Sequence, residues 1–295
     1  MTVLAAVDVV VVHYRSRGLA GDLVRDLMSQ QDVDLKIIIV ESGSDGTVES
    51  VVAEYGKQIE VIDLNANVGY CRGNNIGTQR SRTGSLLLVC NPDVRLPDVT
   101  TVASLAAILR VQPELAAVAL GIITMQGQLE YINSTINLER ALAFHTETHV
   151  DAETDYGTRT LSWINGACLL ITPEAWRATG GFDERFFLFC EEVDWCIRAR
   201  TLGFKVLLDT SVRVRHQRGG TFEGRGVKAS YYFHRNLYYL CQLHAHGSLW
   251  KLWWLSRCLR VVARPSAWTT GIAPVTAWAV IDAIRGRVGP RPFRP

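Results

Sequence analysis

Several familiar signatures are missing from this 295-residue chain. The loop after the first apolar run, HYRSRG at His13 to Gly18, holds no GxGxxG, and no GxxxxGK[ST] occurs anywhere. These absences exclude the dinucleotide fingerprint and the P-loop nucleoside triphosphatases. The seven cysteines (Cys71, Cys90, Cys168, Cys190, Cys196, Cys241, Cys258) form no CxxC pair and lie scattered in apolar segments. That argues against a disulfide framework or a zinc site and for reduced core residues. The opening MTVLAAVDVVVVHYR has no basic leader and no small-residue cleavage pattern, and it carries Asp8 inside its apolar run. No secretory signal is expected, and the expected location is the cytoplasm. Long apolar runs are missing too: the best late stretch, Trp268 to Ile284, is broken by Pro274 and Asp282 and falls short of the about 20 residues a span needs. Acidic residues are nearly absent from the end of the chain. Residues 213–295 hold 14 Lys+Arg against 2 Asp+Glu, whereas residues 1–212 hold 17 against 27, so the overall +2 conceals an acidic body and a basic tail.

What is present reads as α/β. Val7 to Val12, Lys36 to Val40, Ile59 to Leu64 and Leu86 to Val94 are short apolar, β-rich runs. Between them, Leu19 to Met28, Thr47 to Tyr55 and the segment after Gly69 predict helices, Gly69 and Gly73 permitting close backbone approach. Alternation of this kind is the rhythm of a parallel sheet with crossover helices. A helix from about Pro97 to Val111 and a strand at Leu115 to Leu120 continue it. Residues 124–160 read as a loop-rich insertion with a hairpin, of the kind that shapes specificity. Strands at Ser162 to Thr172, Phe204 to Leu208 and Ser211 to Val214, and a short helix opened by Pro173, complete the pattern.

Two stretches carry chemistry. LLLVCNPDV (Leu86 to Val94) reads as a buried strand that delivers Asp93 to its carboxyl end, the edge where open α/β sheets bind ligands; NPD is also ordinary turn chemistry. GGFDERFFLFCEEVDWCIRAR (Gly180 to Arg200) places Glu191, Glu192 and Asp194 at the start of a helix, where the dipole favours carboxylates, although Asp194 with Arg198 is equally a common i, i+4 pair.

Together these residues resemble the family 2 inverting glycosyltransferases of GT-A fold, and within them the bacterial rhamnosyltransferase-like group. NVGYCRGNNIG resembles that group's NxGFaxGxNxG segment, LLLVCNPDV its version of the DxD motif, NGACLLIT its GAclLi strand, the GGFDE block its acidic helix, and VRVRHQRGG its vxHxxG ending. Three departures stand out: Tyr14-Arg15 replaces Tyr-Asn, ESGSDGT replaces DNxSxDGT, and Glu191-Glu192 replaces Glu-Asp.

The resemblance implies a GT-A type α/β fold, a mostly parallel Rossmann-like sheet flanked by helices, over residues 1–222. Nucleotide-sugar binding falls at about 1–120 and the acceptor side at about 121–222, with a helical, basic C-terminal extension at 223–295. It further implies Glu192 as catalytic base with Glu191 and Asp194 in support, and Mg²⁺ or Mn²⁺ on Asp93 and His216. Donor contacts would come from Tyr14, Glu41, Gly69, Arg72, Asn75, Asn91, Asp93 and Gly166. The donor would be a dTDP or UDP sugar, with dTDP-L-rhamnose foremost, and the acceptor a glycan or polyprenyl-diphosphate-linked sugar; nucleic acid is not expected as a partner. A sugar-nucleotide-binding protein without catalysis and a nucleotidyltransferase are the competing classes. In the tail, Val227 to His246 predicts a helix, and Leu249 to Arg264 places Arg257, Arg260 and Arg264 on one face amid tryptophans. Such a helix suits an anionic membrane surface or packing against the catalytic domain or a second subunit.

Overall fold

In the computed structural model, which describes residues 4–16, 18–124, 127–147, 155–216, 225–291 and 293, the apolar runs become the centre of one sheet. The first half is β1 (Ala5–His13), α1 (Leu19–Met28), β2 (Val33–Glu41), α2 (Thr47–Tyr55), β3 (Ile59–Asp63), α3 (Gly69–Thr78) and β4 (Leu86–Cys90). Val9, Val10, Val11, Ile38 and Ile39 are wholly buried, as expected of strands covered on both faces. Helix α1 buries Leu23, Val24 and Leu27 on one stripe, the helical spacing visible in the sequence.

The second half comprises β5 (Val94–Arg95), α4 (Thr101–Val111), β6 (Leu115–Ile123), the hairpin β7 (Tyr131–Asn137) and β8 (Leu142–Glu147), β9 (Thr158–Thr160), β10 (Cys168–Ile171), α5 (Pro173–Thr179), α6 (Glu191–Thr201) and β11 (Lys205–His216). Four helices follow: α7 (Arg225–His244), α8 (Trp250–Val262), α9 (Pro265–Thr269) and α10 (Ile272–Ile284). The nine-stranded sheet runs β3-β2-β1-β4-β10-β6-β11-β5, with β9 beside β11. β1, β2, β3 and β4 are parallel, as are β6 and β11. β10 is antiparallel to both of its neighbours.

Four expected strands are divided, shortened or merged. Leu86 to Val94 divides into β4 and β5 because Pro92 has no N–H to give a ladder, and the Val94 amide turns back to Asn91 O at 3.2 Å. Ser162 to Thr172 is extended only at Cys168–Ile171. Phe204 to Leu208 and Ser211 to Val214 are one strand with a register shift between Asp209 and Arg213, where the Asp209 carboxylate takes the Ser211 N–H and O–H at 2.8 and 2.6 Å. The hairpin expected within residues 124–160 is present as β7 and β8, while 125–126 and 148–154 lie outside the described residues. All seven cysteines are buried and free.

β1 and β2 end in register at His13 and Glu41, and β4 lies beside β1 with Cys90 opposite Val11. Their carboxyl ends therefore deliver His13, Glu41 and the Asn91–Asp93 turn to one edge of the sheet.

Candidate active site

Asp93 leaves the end of β4 in the turn that Pro92 stiffens. The backbone is held there by the Asn91 N–H, which donates to Ala167 O at 2.8 Å. His216, the last residue of β11, comes from the far side of the sheet, and its Nε2 lies 3.1 Å from Asp93 Oδ1. The pairing of β11 with β5 sets Val94 opposite His216, which explains how residues 123 positions apart meet. His216 Nδ1 is buried and has no partner among the described residues. A carboxylate beside an imidazole with an orphaned ring nitrogen is a mixed oxygen and nitrogen donor set that fits Mg²⁺ or Mn²⁺, with the remaining ligands coming from a diphosphate. No group of three or more His, Cys, Asp or Glu placed to hold a metal occurs among the described residues.

The acidic helix closes on this edge through Gly166. A Cβ at Gly166 would stand 3.3 Å from Glu192 Cβ, so the absence of a side chain lets the first turn of α6 approach the entry to β10. Tyr70 spans the same junction, its O–H donating to Gly166 O at 2.9 Å. Glu191 is buried, Glu192 is half-buried, and Oε2 of each is closed off with no hydrogen bond. Burial pushes the Glu192 carboxyl up to about 7. Glu191 is raised well above the usual carboxylate range, first by burial and then by the charge of Glu192. A carboxylate that is partly reachable and titrates near neutrality is what a general base requires.

Asp194 is engaged differently. It is 1% exposed, and its two oxygens meet Arg198 Nε at 2.8 Å and His244 Nε2 at 2.7 Å. Arg198 reaches onward to Gly181 O at 2.9 Å. This network fixes α6 against α7 and leaves Asp194 as a structural support.

The turn entering α6 is held in an uncommon conformation, with φ of 64° at Phe187, 69° at Phe189 and 71° at Cys190. Non-glycine residues adopt this region only when their surroundings enforce it. Asn236, 1% exposed on α7, supplies the enforcement: its side-chain amide lies 2.9, 2.7 and 2.8 Å from the carbonyl oxygens of Phe186, Leu188 and Phe189. Arg235 adds a bond to Phe186 O at 3.0 Å. Sequence reasoning missed both residues. The available signal was the polar pair Arg235-Asn236 interrupting the aromatic helix SYYFHRNLYYL.

Several donor-side residues prove to be occupied. Glu41, 5% exposed, receives His13 Nδ1 at 2.9 Å on one oxygen and the Gly43 N–H at 2.7 Å on the other, so a pyrimidine N–H would share an oxygen already in use. Tyr14 lies beside it, packed so closely on Gly43 that a Cβ there would stand 2.8 Å from the ring. The Gly69 N–H donates to Asn67 Oδ1 at 3.0 Å, and the next two amides, of Tyr70 and Cys71, point at Phe187 O at 2.8 and 3.4 Å. These amides join α3 to the acidic loop. Asn75 clamps the other end of that loop, its side chain bonding Phe182 O at 2.8 Å and Phe182 N at 3.0 Å. Arg72 remains largely exposed, 3.8 Å from Glu184.

Comparison with known proteins agrees with this arrangement. A family model described as glycosyltransferase-like family 2 matches residues 5–228. An N-acetylglucosaminyl-diphospho-decaprenol L-rhamnosyltransferase of Mycobacterium tuberculosis is 24% identical over 74% of this chain and 77% of its own. A low-salt glycan biosynthesis hexosyltransferase of Haloferax volcanii is 23% identical over 68% of this chain and 63% of its own. Among solved structures, a mannosyltransferase of Pyrobaculum calidifontis in complex with GDP-Man and Mn²⁺ superposes with a TM-score of 0.58 at 15% identity, over 96% of this chain and 76% of that one. GalNAc-T7 with UDP, GalNAc and Mn²⁺ gives 0.61 at 15% identity, over 72% of this chain but 43% of that one. The fold is GT-A.

Proposed function

The chain belongs to the glycosyltransferase-like family 2, and from that premise we propose an inverting, divalent-metal-dependent transfer of L-rhamnose from dTDP-L-rhamnose to a hydroxyl of a lipid-linked glycan acceptor. Glycosyl transfer in polysaccharide biosynthesis is the supported activity; the sugar and the acceptor are the proposal. The observation that supports it is the Asp93–His216 pair, 3.1 Å apart at two strand ends, with Glu192, raised to about 7, packed on Gly166 next to the Ala167 carbonyl that fixes the Asn91 amide.

In this mechanism Glu192 removes the proton of the acceptor hydroxyl as that oxygen bonds to the anomeric carbon. The carbon–phosphate oxygen bond breaks on the opposite face, and the electron pair leaves with the nucleoside diphosphate. Asp93 and His216 would hold a divalent cation, whose charge would offset that of the departing diphosphate. Glu191, kept protonated by burial, holds the neighbouring charge off Glu192. Asn236 and Asp194 keep the turn and helix in place from behind.

Rhamnose is favoured by the mycobacterial relative and by the five ordered motifs. A membrane-borne acceptor is favoured by the exposed Leu249, Leu252, Trp253, Leu259, Trp268 and Ile281 on the last helices, which would rest the protein on the inner face of an anionic bilayer. None of the described helices is long and apolar enough to cross a membrane. The test is a panel of sugar nucleotides scored by thermal protection and by product. The proposal expects dTDP-L-rhamnose to protect most and to release dTDP. Formation of dTTP and rhamnose 1-phosphate on adding pyrophosphate would indicate nucleotidyl transfer, and protection without turnover a binding protein.

A further inference from the structure

On the face of α7 away from the acidic loop lies a cavity of about 420 Å³, bounded by β8, α7 and α8. Its walls include Phe144, Phe233 and Trp254, and into it come Arg257 and Arg260 of α8 and Arg264 just beyond its end. Among the described residues, no Asp or Glu lines it. Glu139, on the turn between β7 and β8, accepts instead from the His246 amide at 2.7 Å. Arg257 Nε is buried without an acceptor. Burial and the charge of Arg260 lower the Arg257 pKa. Leaving a buried guanidinium N–H unpaired is costly, and three guanidinia without a counter-charge repel one another; an anion relieves both. Guanidinium groups suit phosphate oxygens, which they bind through paired N–H donors. The aromatic walls ask for something more than an ion. Beside the C-terminal end of α8 the exposed Trp268, anchored by its indole N–H on Val262 O at 2.8 Å, continues the apolar surface outward.

We propose that this cavity is a binding site for a phosphate or diphosphate head carried on an apolar chain, separate from the transfer site. Arg235 and Asn236, on the opposite side of the same helix, hold the catalytic turn, so α7 itself lies between the two sites. The proposal does not depend on the glycosyl-transfer reading, because its test measures binding rather than turnover.

The probes are farnesyl phosphate below its micelle concentration, inorganic pyrophosphate, and farnesol, each titrated calorimetrically into the full-length protein with saturating dTDP present. Farnesyl phosphate is expected to bind saturably with one site, pyrophosphate at least about tenfold more weakly, and farnesol more weakly still. Arg257→Gln should weaken farnesyl phosphate by about tenfold or more, and the exposed Arg264→Gln, which no fold contact needs, by several-fold. Thermal unfolding of both variants without ligand should match or exceed the parent. Absence of saturable binding, or loss of it on adding dTDP, overturns the site. Equal affinity for pyrophosphate overturns the apolar part and reduces it to a free-anion site. Equal affinity for farnesol overturns the phosphate part, and unchanged affinity in both variants overturns the location.

Discussion

Glu192→Gln removes an ionisable carboxyl while keeping its shape, and two effects of opposite sign follow from the structure. As the proposed base, Glu192 is required deprotonated, so the variant should lose roughly a hundred- to ten-thousand-fold in turnover; in the parent, kcat/KM should rise with pH through about 7 and then level. Stability should move the other way. Raising the carboxyl from its ordinary 4.5 to about 7 means that the folded protein holds the proton more tightly than the unfolded chain. Stability contributed by this group is therefore full below about pH 4.5 and lost as pH rises toward 7. The full difference is worth about 3 kcal/mol. Because the side chain is half-buried and solvent screens part of its charge, about 1–3 kcal/mol is the expected penalty at pH 8. Gln carries no such penalty. Urea unfolding of parent and variant at pH 5 and pH 8 measures it: relative to the parent, the variant should gain about 1–3 kcal/mol between the two pH values. A variant that gains nothing at pH 8, or loses stability there, would show that the pocket does not oppose the charge, and the pKa argument for Glu192 as base would fail.

Asn236→Ala takes the amide away from three carbonyls of the acidic turn, of which Phe186 O keeps Arg235, and should cost about 2–4 kcal/mol in denaturant unfolding, with turnover falling while donor affinity holds; unchanged stability would show that α7 does not set the turn. Gly69→Ala would put a methyl 2.3 Å from the Phe187 ring at a φ of +82°, so a loss of at least about 2 kcal/mol and a marked drop in turnover are expected. Asp93→Ala should abolish the rescue of chelator-treated enzyme by Mg²⁺ or Mn²⁺ and weaken dTDP binding in calorimetry, whereas full activity of the parent in excess chelator would sink the metal assignment. In liposome flotation the protein should bind anionic vesicles more than neutral ones and release with salt; indifference to lipid charge would count against the membrane-facing tail.

How much of this was legible in the sequence depended on whether a residue acts within its own segment. LLLVCNPDV reads directly as a strand and a turn because apolar periodicity and proline chemistry are local, and Asp93 stands at the sheet edge as expected. The start of α6 was readable for the same reason. Asp93 and His216 were paired only by family resemblance, since nothing local tells β11 to pair with β5. What remained hidden are contacts made across the chain. Glu41 was assigned to a base, yet its oxygens meet His13 and Gly43, a consequence of β1 and β2 ending in register. Gly69 is expected to contact the donor, yet the two amides after it, of Tyr70 and Cys71, bind Phe187 O, 117 and 116 residues further along. The tail looked like an addition by composition. Its first helix is the wall behind the turn that enters α6, which Asn236, His244 and their partners reveal.

The most direct test of the central claim is the anomeric configuration of the product, followed by proton NMR from the first turnovers with dTDP-L-rhamnose, Mn²⁺ and a short-chain lipid-diphosphate glycan acceptor. The account predicts a single rhamnoside whose anomeric configuration is opposite to the donor's, formed in step with free dTDP and absent with Glu192→Gln. A product with the donor's configuration, or an undiminished rate in that variant, would contradict it.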